Sequence, residues 1–67
     1  MSTAPRYFVV PAPGTYGDVT NVLWSSKKLD DAKGMTPRGY VVRIGNVKAG
    51  AKWYPSYEAD HPVIWQR

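Results

Sequence analysis

The hydrophobic pattern is clearest at residues 38–45, Arg-Gly-Tyr-Val-Val-Arg-Ile-Gly, where β-branched and aromatic side chains lie between glycines. That composition predicts a strand. Arg43 interrupts the apolar run, and a guanidinium there needs either a partner or an open face. The pattern therefore predicts a half-covered sheet, with one face buried and one available.

Upstream, residues 6–10 (Arg-Tyr-Phe-Val-Val) predict a first strand, stopped by Pro11 and Pro13, which cannot donate to a ladder. Residues 1–5 read as a frayed lead-in. Glycine and proline make 11–18 a loop, with Tyr16 at its tip as a lid over apolar surface. Residues 19–25 predict a second strand, with Val22 and Trp24 on one face and Asn21 and Leu23 on the other. Ser25 or Ser26 offers an N-cap oxygen to a short helix over 27–35, whose Leu29, Ala32 and Met35 share a face. Gly34 and Thr36-Pro37 end it. Lys27 and Lys28 oppose the helix dipole and read as a solvated helix end.

After the strand at 38–45, Gly45-Asn46 and Lys48-Ala49-Gly50 supply turns. Residues 51–57 return as a strand that Pro55 places at an edge or ends early. A loop at 58–62 and a closing strand at 63–65 complete the chain. This order predicts one α+β domain over 1–67, a small antiparallel sheet of four to five strands with one short helix on one face. A nine-residue helix is about 13 Å long, and such a sheet is roughly 15–20 Å wide. One helix covers one face only, so the other is expected to carry exposed aromatic and basic residues.

Charge adds a direction to this picture. Nine Lys and Arg against five Asp and Glu give a net charge of +4. An anionic partner is expected, either an acidic protein surface or nucleic acid. The chain has no cysteine, which excludes disulfides and thiolate metal sites and fits a reducing compartment. No apolar run approaches membrane-spanning length, so a soluble, cytoplasmic protein with no membrane partner is expected.

Catalytic chemistry finds little support. With a single histidine, a Ser-His-Asp site would have to use His61. Glu58-x-Asp60-His61 reads as a polar turn rather than a metal site. Asp30 and Asp31 are adjacent and diverge by about 100° on a helix, so they do not form a carboxylate pair. The glycines build no phosphate loop. The expectation is a non-enzymatic protein without cofactor or metal.

Two stretches carry a resemblance. Leu29-Asp30-Asp31-Ala32 followed by Gly39-Tyr40 and Val42-Arg43-Ile44 resembles the helix-then-strand segment of the T7-type phage inhibitor of bacterial RNA polymerase. That family uses strand arginines against an acidic polymerase surface, which implies this role for Arg43. The linker is shorter here, and Gly45-Asn46 stands where the family has a further arginine. Leu29-x-x-Ala32-Lys33, Arg43-Ile44, Trp53 and Trp65 resemble a small type I-F anti-CRISPR, which implies a contact role for Lys33 on a CRISPR effector.

Both resemblances imply a phage-encoded host-takeover protein that inhibits a bacterial nucleic-acid-handling machine, with host RNA polymerase as the expected target. The expected contact set is Arg43, Lys33, Lys48, Lys52, Tyr40 and Tyr54. The alternatives are direct nucleic-acid binding, with bases stacked on Tyr40 and Tyr54 across an open sheet face, or an anti-CRISPR inhibitor.

Overall fold

The first strand, β1 (Tyr7–Pro11), forms where aromatic and β-branched residues run unbroken up to a proline. A computed structural model describes residues 6–67, so the expected lead-in at 1–5 lies outside the described residues. Pro11 closes β1 rather than preceding its end. It sits opposite Tyr40, and the next residue, Ala12, donates its N–H to the Gly39 carbonyl at 2.8 Å.

There follow β2 (Thr20–Asn21), β3 (Trp24–Ser26), the helix α1 (Leu29–Gly34), β4 (Tyr40–Ile44) and β5 (Lys52–Trp53). A 3-10 helix (Pro55–Asp60) and β6 (Val63–Gln66) complete the chain. Four strands make an antiparallel sheet in the order β3-β1-β4-β6, and β2 and β5 pair as a second, two-stranded sheet. The expected α+β class with an antiparallel sheet is what the chain adopts.

Strand alternation on β1 and β4 divides the interior in two. Phe8 and Val10 of β1 join Val41 of β4, and this face closes on Val22 and Trp53 beneath the smaller sheet. Val9 and Val42 point the other way, onto Ala32 of α1, with Leu29, Tyr7, Tyr40 and Trp65 around them. Phe8, Val9 and Val10 are all fully buried, as in a strand covered on both sides. The expected half-open sheet is thereby corrected. Its second face is occupied by β2, β5 and the 3-10 helix.

Three element boundaries differ from expectation for local reasons. The strand expected over 19–25 splits because the chain changes sheets inside it. The Val22 N–H donates to Ala51 at 2.9 Å, whereas that of Leu23 donates to Val9 at 2.8 Å. A single alternation cannot survive that crossing, so Val22 is buried while Trp24 is exposed.

The helix spans six residues, starts after an extended Lys28 and has no side-chain cap. Ser26 Oγ accepts the Lys28 N–H at 3.1 Å, outside the helix itself. Met35 falls beyond the last turn and is 46% exposed, not part of an apolar face. Finally, Pro55 starts the 3-10 helix and cuts the expected strand at 51–57 down to Lys52–Trp53. Tyr16 packs against the first core, as a lid does.

Candidate partner-binding surface

Alternation along β4 turns Arg43 to the same side as Val41, toward Trp53. The 3-10 helix and the turn after it close over the guanidinium. Nη1 donates to the carbonyls of Glu58 at 3.3 Å and His61 at 2.6 Å, and Cζ stands 5.6 Å from the Trp53 ring centroid. Arg43 is only 3% exposed, and its Nε has no partner among the described residues. This corrects its expected place in a surface patch. The charge has internal partners, the first of the two conditions the sequence posed.

Around Arg43 lies an aromatic cluster. Phe8 and Trp53 each stand about 5 Å from one another and from His61, with centroid distances of 5.1, 5.5 and 5.5 Å. His61 Nδ1 lies 3.3 Å from the Ile44 carbonyl. The Tyr16 hydroxyl donates to Glu58 Oε2 at 2.5 Å. Burial raises the Tyr16 pKa above the usual phenol value, reinforced by the Glu58 carboxylate, while nearby Trp53 and Arg43 act in the opposite direction. Glu58 and His61 are thus engaged internally. Among the described residues no three His, Asp or Glu side chains group as metal ligands.

Lys33 and Tyr40 lie on the helix side of the main sheet. Tyr40 packs half-buried on the second core. Lys33 Nζ is 5.7 Å from the Trp65 ring centroid, and Arg67 Cζ is 5.8 Å from it, so two cations share one indole. Arg67 also donates Nε to the Thr36 carbonyl at 2.6 Å and Nη2 to the Lys33 carbonyl at 3.3 Å. The Lys33 carbonyl lies in the last turn of α1, where the negative end of the dipole favours a cation, and Thr36 lies two residues past the helix. Arg38 is exposed two residues beyond Thr36.

Lys48, Lys52 and Tyr54 lie on the other side. Lys52 is exposed on β5, next to inward-facing Trp53. Lys48 is exposed in the turn closed by the Ala51 N–H to Lys48 carbonyl bond at 3.2 Å. Tyr54 meets Tyr57 edge-on at 5.3 Å. The six expected residues therefore form no single patch. The main sheet separates Lys33 and Tyr40 from Lys48, Lys52 and Tyr54, and it buries Arg43. Tyr40 and Tyr54 share no platform for base stacking.

The expected contact set omitted Arg67. One signal for Arg67 was available. It follows Trp65 by two residues, the spacing that keeps side chains on one face of a strand. Lys33, Trp65 and Arg67 form a cationic surface assembled from distant parts of the chain.

No protein-family model, no curated protein and no solved structure matches the chain. No helix among the described residues is long and apolar enough to cross a membrane.

Proposed function

We propose that this chain is a small, non-enzymatic binding protein that docks on an acidic protein surface through Lys33 and Arg67 around Trp65. The observation that carries this reading is the convergence of Lys33 and Arg67 on one indole in a chain of net charge +4. The ring faces both cationic groups and holds them in place, which lowers the ordering cost of a contact made by two long side chains. Docking would act by occlusion and requires no bond chemistry.

The resemblance to phage host-takeover proteins supports a bacterial nucleic-acid-handling machine as the target, met in the host cytoplasm. With Arg43 buried, the residue that pointed to RNA polymerase is out of reach. Lys33, which pointed to a CRISPR effector, remains at the surface layer, so the effector is the preferred target.

The test is a pull-down from nuclease-treated bacterial lysate and from purified effector, with three forms of the protein. Lys33→Glu combined with Arg67→Glu should release the partner, whereas Lys48→Glu combined with Lys52→Glu should retain it. Reversing a charge at a desolvated contact costs about 2–5 kcal/mol. Tight single-strand binding that survives high salt and is lost in Lys52→Glu or Tyr54→Ala would replace this reading with nucleic-acid recognition.

A further inference from the structure

The two edges of the main sheet are unequally protected. Outside β3, the segment 49–51 runs back along the chain. The Gly50 N–H donates to the Val22 carbonyl at 2.8 Å, and the Ala49 N–H donates to Ser25 Oγ at 3.0 Å. Among the described residues β6 pairs with β4 alone. The Ile44 N–H reaches the Pro62 carbonyl at 3.2 Å, so even-numbered residues of β4 direct their amides to β6. Trp65, opposite Val42, then turns its backbone groups inward, and those of Gln66 face out.

No charge lies within Val63–Gln66, and Val63 and Ile64 are 41% and 40% exposed. Edges of this kind template a further strand unless charges or covering elements block them. The protection present is a proline before the strand and an irregularity opposite Val42 and Arg43. At the other end of β6 stand Lys33 and Arg67, both over Trp65.

We infer that β6 accepts an added strand from an acidic partner, in the form of an extended segment alternating apolar residues with Asp or Glu. This deepens the docking reading above and rests on it. Main-chain hydrogen bonds to the edge supply affinity, and alternate side chains supply selectivity. The carboxylates lie on the Trp65 face and meet Lys33 and Arg67, and the apolar residues lie on the opposite face and meet Val63. A second copy would bring two cationic ends and two chains of +4 together, so charge favours the acidic segment.

The experiment titrates the isotope-labelled full chain with a short acetylated peptide alternating valine and glutamate. Its counterpart alternating valine and lysine serves as the control. The acidic peptide should shift the Gln66 amide and slow its hydrogen exchange, and the lysine peptide should not. Arg67→Glu should weaken the acidic peptide about tenfold, equivalent to 1.4 kcal/mol. N-methylation of alternate peptide residues should abolish binding with no change to the protein.

Failure of the acidic peptide to bind would overturn the inference. So would binding that moves only the Lys33 and Arg67 side chains, although docking by the cationic cluster would then stand. Concentration-dependent dimerisation that protects Gln66 without peptide would give the edge to a second copy and also overturn it.

Discussion

Arg43 Nη1 donates to the His61 carbonyl at 2.6 Å, tying the centre of the main sheet to the turn that covers it. The same nitrogen reaches Glu58 at 3.3 Å. The buried guanidinium has two carbonyl acceptors, and the Trp53 face adds a further favourable contact. Arg43 is thus a latch between layers.

Arg43→Ala should destabilise the fold by roughly 2–5 kcal/mol, because it strands two carbonyls and empties a packed site. Arg43→Lys should recover only part of this, since an ammonium lacks the planar fork. Urea unfolding checks both. Loss of partner binding in an Arg43→Glu protein reports loss of fold and says nothing of the interface.

Gly45 carries no Cβ where one would meet the His61 ring and Phe8. Gly45→Ala should therefore cost about 1–3 kcal/mol by overpacking. Combining it with His61→Ala should cost less than the sum of the two changes. Additivity within about 0.5 kcal/mol in the double-mutant cycle would show that the ring is not the obstacle.

Tyr16 links the 12–18 loop to Glu58, and its raised phenol pKa fixes a sign. The folded protein holds the proton more tightly than the unfolded chain, so stability falls as the pH rises above the ordinary phenol value of about 10. The contribution is complete below that value and is lost as the pH passes through the higher folded one. Tyr16→Phe should flatten this alkaline loss relative to the parent in melts taken between neutral and strongly alkaline pH.

Leu29 is only half-buried against the second core, beside fully buried Ala32. Leu29→Ala should cost about 1–2 kcal/mol, less than a full core truncation. A denaturation midpoint indistinguishable from the parent would place Leu29 outside the core.

What the sequence made legible follows from how local each decision is. β1 and β4 are encoded in their own side chains, and the helix in Leu29, Ala32 and the Thr36-Pro37 stop. Arg43 posed a real choice between an internal partner and an open face. Only the distant residues Glu58 and His61 decide it, because their carbonyls arrive through tertiary packing. The change of sheet at Val22 and Leu23 leaves no local mark, since both are ordinary strand residues. The cationic cluster was hidden for a similar reason. Lys33 and Arg67 are far apart in sequence and meet only because β6 lies beside β4.

The position of β1 between β3 and β4 also sets a timetable. During synthesis β1 leaves the ribosome before β4, and Tyr7 cannot pair with Ile44 until the residues between them have followed. In the meantime its apolar run has only β3 as a partner, on one side. Pairings so distant in sequence slow folding relative to helical chains of similar size. A nascent chain halted before β4 emerges would expose Phe8, Val9 and Val10 to chaperones, and completion of β4 would withdraw them.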